Sequence, residues 1–183
     1  MRYFHLRDDV HVPGRWHLGE VTTSAGPAPD LLAASELPFG THAHVTMSHA
    51  GAPLEFCLTS FGVPVARREL ADAVVSIAGR DVELVPLLVD ADSRFVVVHA
   101  RRLVACLDES RSVFVKWTDR DHRADLAGRY RMVTKLFVDP QRIPASTHVF
   151  RIDGWPIALI ISQSVRDVME RVGCLGARFE EVS

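Results

Sequence analysis

The chain has 183 residues, of which 48% are hydrophobic and 24% are charged. This composition is typical of a globular protein and unlike that of a disordered, collagenous or coiled-coil chain. Its 21 basic and 23 acidic residues give a net charge of −2, so the chain as a whole lacks the excess of positive charge that polyanion binding requires. No apolar run approaches the roughly 18 residues of a membrane-spanning helix. We therefore expect a cytoplasmic protein that binds neither nucleic acid nor a membrane.

Residues 1–60 are punctuated by glycine and proline, including the pair Pro13-Gly14 and the breakers Gly26, Pro27 and Pro29. Such punctuation favours short strands joined by long loops. We predict a loop-rich N-terminal portion at 1–60 and an α+β main domain at 61–183. The N-terminal portion could be a separate lobe, an extension around the rest, or part of one folding unit.

Residues 61–183 show both helical and strand periodicity. Residues 64–79 place Leu70, Val74 and Ile77 on one helical face before Gly79, which predicts a helix that ends there. A second helix is predicted after Ser164, with an apolar stripe that ends at Val172. Seven segments are predicted as strands: 82–89, 94–100, 103–107, 112–117, 130–138, 148–151 and 155–162.

The links between these strands indicate how they pair. Residues 90–93 have turn chemistry, which predicts a hairpin of 82–89 and 94–100. Pro86 predicts that the first of these strands lies at an edge or contains a bulge. Hairpin-length links combined with a few helices predict an α+β fold with a mostly antiparallel sheet.

The histidines His42, His44 and His49 form the strongest candidate metal cluster. On a strand, residues two apart share a face, so His42 and His44 could reach one ion. A catalytic zinc site also needs a third ligand and an orienting carboxylate, and no H-E-x-x-H run supports one. We favour exposed loop histidines and no bound metal, and we keep a metal-dependent hydrolase as the alternative.

The polar loop at 118–128 carries three aspartates, Asp119, Asp121 and Asp125, next to Trp117. Their spacing resembles part of a calcium loop, but Ala124 and Tyr130 stand where such a loop needs Gly and Glu. The loop is therefore predicted to be a solvated turn that could contact a partner. No catalytic constellation and no phosphate-binding glycine loop is visible, so no catalytic residue and no cofactor is predicted.

Three stretches together carry a further signal. They are 2–19, which includes Val12-Pro13-Gly14-Arg15-Trp16; 61–86, which begins Phe61-Gly62-Val63-Pro64-Val65; and 130–162, which includes Gly154-Trp155-Pro156. In order and spacing they resemble the bacterial polymorphic-toxin immunity family typified by a myxobacterial immunity protein. This resemblance covers nearly the whole chain.

The resemblance implies a non-enzymatic protein that binds and neutralises the C-terminal domain of a toxin encoded by a neighbouring gene. On loop position and residue type, Trp117, Asp119, Asp121 and Asp125 are the predicted partner contacts. Steric and electrostatic blockade would then neutralise the toxin, and replacing the three aspartates with Asn should slow association. A regulatory binding module with a harmless partner is a further alternative, and the oligomeric state stays open.

Overall fold

The computed structural model describes residues 1–23, 26–27 and 30–183. Part of the predicted N-terminal loop, including Pro29, lies outside the described residues. The described part up to residue 100 contains the following elements in chain order: β1 (Tyr3–Asp8), β2 (His17–Thr23), β3 (Gly26–Pro27), β4 (Ala43–His49), β5 (Phe56–Leu58), β6 (Pro64–Arg67), α1 (Arg68–Ala78), β7 (Val82–Val89) and β8 (Asp92–Ala100).

The remainder of the chain adds six strands and the second helix. In chain order these are β9 (Leu103–Val104), β10 (Val113–Lys116), β11 (Tyr130–Lys135), β12 (Val149–Ile152), β13 (Trp155–Ser162), α2 (Gln163–Arg171) and β14 (Ala177–Glu181). In the described part of the chain, neither α-helix combines the length and the apolar character needed to cross a bilayer.

The strands form three sheets. A seven-stranded sheet has the order β3-β2-β4-β7-β8-β6-β5, a five-stranded sheet has the order β14-β1-β13-β12-β9, and β10 pairs with β11 alone. The β4–β7 and β12–β9 pairs are parallel, and the other described neighbours are antiparallel. The predicted α+β class with mostly antiparallel sheet is confirmed.

Three apolar clusters cover the faces of the two large sheets. The central cluster joins both sheets to both helices, through residues such as Leu159 of β13, Val98 of β8 and Met169 of α2. A second cluster covers the other face of the seven-stranded sheet, and a third covers the other face of the five-stranded sheet. Strand β8 is therefore buried on both faces, which explains its unbroken apolar run from Phe95 to Val98.

The first helix begins later than its sequence pattern predicts. Residues 64–67 form β6, which pairs with both β5 and β8, and the helix runs from Arg68 to Ala78. Two neighbouring strands complete the hydrogen bonds of β6, so tertiary pairing overrides the local helical periodicity. The predicted end at Gly79 is confirmed, because this glycine caps the helix with a φ of 52°.

The second helix also differs from its prediction. Its N-cap is Ser162, whose side chain accepts a hydrogen bond from the N–H of Val165, whereas Ser164 lies inside the first turn. The buried face contains Val165, Val168 and Met169, but Val172 at the end of the predicted stripe is exposed.

The predicted hairpin between residues 82 and 100 is confirmed as β7 and β8. The ladder between them shifts after Leu87, and the pairing of β7 with β4 begins only at Leu87, one residue after Pro86. The strand predicted at 103–107 shortens to β9. Strand β14, which the sequence patterns did not predict, pairs with β1.

The described part of residues 1–60 contributes strands to both large sheets. Strand β1 lies between β13 and β14, and β4 hydrogen-bonds to β7. The division of the chain at residue 60 and the loop-rich character of the N-terminal portion stay predictions.

His5 of β1 supplies a prediction on pH dependence. Burial, followed by the charge of Arg7, lowers its pKa from an ordinary 6.5 to about 4. Between these two pKa values the unfolded chain binds more protons at His5 than the folded chain does. The contribution of His5 to stability is therefore fully present above pH 6.5 and is lost as the pH drops towards 4. We expect a loss of roughly 2 kcal/mol over this window.

Urea unfolding of the wild type and the His5→Gln variant across this pH window measures the effect. The variant should show a shallower decline, and His11→Gln, at an exposed histidine, should behave like the wild type. An equally steep decline in His5→Gln would exclude His5 as its source.

Candidate functional site

Strands β10 and β11 form an antiparallel ribbon, and the loop between them contains the four predicted contact residues. The ribbon has its own register, with Phe114 opposite Val133 and Val115 opposite Met132. Its inner face packs through Phe114, Tyr130 and Val133 on the third apolar cluster, which covers one face of the five-stranded sheet. The sheet therefore supports the ribbon from one side.

Polar contacts fix the inner face in place. The Tyr130 hydroxyl and the Lys116 ammonium both donate to Oε1 of Glu109, each at 2.6 Å. Their hydrogen bonds lower the pKa of the Glu109 carboxyl, with the Lys116 contribution first. The rings of Phe114 and Tyr130 meet edge to face, with centroids 5.2 Å apart. These contacts hold the ribbon in one orientation before any partner binds.

The outer face of the ribbon presents three aliphatic side chains to solvent. Val113, Val115 and Met132 are 55%, 44% and 47% exposed. Val113 and Val115 are two residues apart on β10, and Met132 lies directly opposite Val115. We use the term outer face for these three residues. Clustered exposed aliphatic groups are typical of interaction sites rather than of scattered surface residues.

Trp117 begins the loop that connects the two strands. Its N–H donates to the carbonyl of Arg129 and its carbonyl accepts from Gly128, which closes the base of the loop. The guanidinium of Arg131 lies 5.0 Å from the indole centroid, and the His122 ring meets the indole edge to face at 5.3 Å. The indole is thus held in place while part of it stays accessible.

The three predicted aspartates have different roles in the loop. Asp121 accepts from the N–H and the hydroxyl of Thr118 at 2.7 and 2.8 Å, and these bonds lower the pKa of its carboxyl. Asp125 pairs with Arg123 at 2.7 Å, which lowers the pKa of the Asp125 carboxyl. Asp119 is exposed and has no hydrogen-bond or ion-pair partner within the described ranges.

The ribbon and its loop carry more positive than negative charge. Asp119, Asp121 and Asp125 are the only acidic residues in 113–135. The same segment has six basic residues: Lys116, Arg120, Arg123, Arg129, Arg131 and Lys135. The loop with the three aspartates therefore belongs to a segment with a net positive charge.

The structure separates the three histidines of the candidate metal cluster. His42 and His44 line a cavity of about 230 Å³ near Pro86. His49 lies at the far end of β4, roughly 16 Å from His44 by strand rise, and its ring meets that of His17 edge to face at 5.7 Å. The described residues form no group of three or more metal-ligating side chains, and His49 is not brought to His42 and His44.

A polar cleft of about 600 Å³ beside His49 contains Arg15. All of the guanidinium nitrogens of Arg15 already have acceptors. Nε donates to the carbonyl of Trp16 at 3.1 Å, Nη1 to the carbonyl of Asp9 at 2.7 Å, and Nη2 pairs with Asp8 at 3.0 Å. This arginine ties the N-terminal segments together, and its guanidinium is already engaged within the protein.

Sequence reasoning did not select the outer face as a candidate site. The sequence of β10 carried a signal for this face, because the strand is apolar on both sides, with Val113 and Val115 on one side and Phe114 on the other. A two-stranded ribbon on the surface of a protein can bury only one of its faces, so one apolar set had to stay exposed.

A family model described as the immunity protein family Imm11 matches residues 90–183, a segment that begins in the turn before β8 and contains the whole ribbon. None of the curated proteins compared with the chain matches it.

Proposed function

Because this chain belongs to the immunity protein family Imm11, we propose that it binds a cognate toxin domain and neutralises it by covering its surface. The family match is the observation that carries the proposal. The protein acts in the cytoplasm of a bacterium, and the toxin domain is the C-terminal part of a larger protein encoded by a neighbouring gene. No step of this function requires a catalytic group or a cofactor.

The ribbon and its loop are the proposed contact region. They lie within the matched segment, they expose aliphatic and aromatic groups, and the sheet beneath holds them in one orientation. A stable complex buries roughly 800 Å² per partner, which involves about 20–30 residues on each side. A hairpin of this length with its immediate neighbours is large enough to supply such an area.

Within this region, Trp117 and Asp119 are the proposed direct contacts. A partly accessible indole that is already oriented loses little conformational freedom on binding. Asp119 has the only carboxylate of the three without a local partner in the described structure, so it can pair with a donor on the toxin. Asp121 and Asp125 contribute through the shape of the loop.

Co-expression with the toxin domain encoded beside the gene tests the proposal. We expect the chain to restore growth of cells that produce the toxin domain and to co-purify with it in a fixed ratio. An unrelated protein of similar size and charge is the control. If the toxin domain kills cells without being bound, the immunity function is excluded.

The proposed contacts predict a graded loss of affinity. Trp117→Ala should raise the Kd at least tenfold, mainly through faster dissociation, because it removes an oriented aromatic anchor. Asp119→Asn should raise it by roughly three- to tenfold. Surface plasmon resonance with the purified toxin domain measures both effects.

The matched control is Asp125→Asn, because its carboxylate already pairs with Arg123. This variant should bind within about twofold of the wild type. Equal effects of Asp119→Asn and Asp125→Asn would show that local pairing does not decide which aspartate contacts the toxin.

A further inference from the structure

We propose that the outer face of the ribbon docks an acidic surface of the toxin domain that has an apolar centre. This inference rests on the proposed function and specifies the chemistry of the partner. It assigns the centre of the interface to Val113, Val115 and Met132, and the long-range attraction to the basic residues around them.

The apolar centre follows from the exposure of the outer face. Val115 and Met132 are cross-strand neighbours, so their side chains form one continuous patch with Val113. The inner face of the same ribbon packs on the five-stranded sheet through Phe114 and Tyr130, which are partly buried. Burial of the outer face therefore requires a second molecule, and an apolar centre with a polar rim is the usual anatomy of a protein interface.

The charge of the partner follows from the rim. The ribbon and its loop together have twice as many basic as acidic residues, although the whole chain has a net charge of −2. Arg120 and Arg129 have no carboxylate partner in the part of the chain that the structure describes. Lys135 lies 5.1 Å from the centroid of the Phe137 ring and also has no carboxylate partner there. Cations without a carboxylate partner in the ribbon and its loop favour a partner whose own rim is acidic.

The outer face fits a protein better than a nucleic acid. Nucleic-acid interfaces consist mainly of contacts between cations and phosphates and are strongly polar. Three exposed aliphatic side chains at the centre of the patch would have no partner on a phosphate backbone. The same side chains fit an apolar patch on a protein, where they would exclude water from the interface.

Charge reversal at Val115 tests the proposal with the full-length protein and the purified toxin domain. Val115→Glu removes an apolar contact and places a negative charge against an acidic rim, whereas Val115→Lys removes the same contact and adds a favourable charge. We expect Val115→Glu to raise the Kd at least about 30-fold and Val115→Lys less than about tenfold. The difference should shrink between about 0.05 M and about 0.5 M salt, because salt screens the charges.

Two further variants make the test independent of folding defects. Met132→Glu should reproduce the effect of Val115→Glu from the opposite strand. Leu175→Glu makes a comparable change at a residue that is 60% exposed outside the ribbon, and it should bind within about threefold of the wild type. Thermal unfolding of each variant confirms that it is folded before binding is compared.

The outcomes separate this inference from the proposed function. If the wild type does not bind the toxin domain, both fail. If the wild type binds and Val115→Glu and Met132→Glu bind equally well, the docking surface alone is wrong. Equal losses in Val115→Glu and Val115→Lys would overturn the acidic partner. Salt-sensitive binding of a labelled nucleic-acid duplex that is lost in Arg120→Gln would assign the ribbon to nucleic acid instead.

Discussion

Asp81→Ala is expected to lower the free energy of unfolding by about 3 kcal/mol, which corresponds to a fall in Tm of roughly 6–12 °C for a chain of this size. Asp81 lies between α1 and β7 and is 2% exposed. Thermal and urea unfolding of the variant and the wild type measure the loss.

The contacts of this carboxylate explain the size of the effect. Its Oδ2 accepts from the N–H of His148 at 2.6 Å and from the N–H of Val149 at 3.3 Å, and its Oδ1 accepts from Nε of Arg102. Asp81 thus ties the end of α1 to the first residues of β12, which belongs to the other large sheet. Without the carboxylate, buried backbone donors next to β12 lose their acceptor, and each such loss costs about 1–3 kcal/mol.

Asp72→Ala is the matched control. Asp72 pairs with Arg68 one turn earlier on α1, and both side chains are exposed to solvent. Such a pair contributes about 0.3–0.5 kcal/mol, so this variant should unfold close to the wild type. Similar losses in the two variants would mean that Asp81 does not connect the sheets.

Gly176→Ala is expected to lower the free energy of unfolding by about 3 kcal/mol or more. Gly176 has a φ of 94°, and a Cβ there would overlap the carbonyl oxygen of Phe56 and lie 2.8 Å from Cδ1 of Leu54. Two hydrogen bonds hold the backbone in place at this point. The Gly176 carbonyl accepts from the N–H of Asp9, and the Leu175 carbonyl accepts from the N–H of Phe56.

Gly173→Ala separates steric overlap from backbone strain. Gly173 has a φ of 75°, but a Cβ there would meet nothing within 4 Å. This variant should therefore lose only about 1–2 kcal/mol for the left-handed conformation. Equal losses in urea unfolding would show that the overlap with Phe56 is relieved at no cost.

Local sequence patterns were sufficient where neighbouring residues decide the conformation. The hairpin of β7 and β8 follows from its turn residues, and the end of α1 follows from Gly79, because glycine adopts a positive φ without strain. The residues at which the two helices begin were not decided by the local sequence. Residues 64–67 are held by two strands that are distant in sequence, and Ser162 caps α2 while its hydroxyl also contacts His148.

The candidate site also combines features that the local sequence predicts with features that depend on tertiary contacts. The loop with Trp117 and its three aspartates was recognisable as a polar turn, but the pairing of each carboxylate depends on side-chain positions. Asp121 and Asp125 find partners within the hairpin and Asp119 does not, although all three have similar neighbours in sequence. Sequence spacing does not predict which carboxylates stay unpaired, because pairing depends on the positions of the side chains in the folded chain.

The sequence by itself determined the family, the α+β class and the absence of an excess of positive charge over the whole chain. These properties depend on the composition and on the order of residues along the chain, which are the same whatever contacts the folded chain makes. The tertiary structure alone decided which apolar face of the ribbon is buried and where the histidines lie relative to one another. Burial and proximity arise from contacts between segments far apart in the chain, so local periodicity constrains them only weakly.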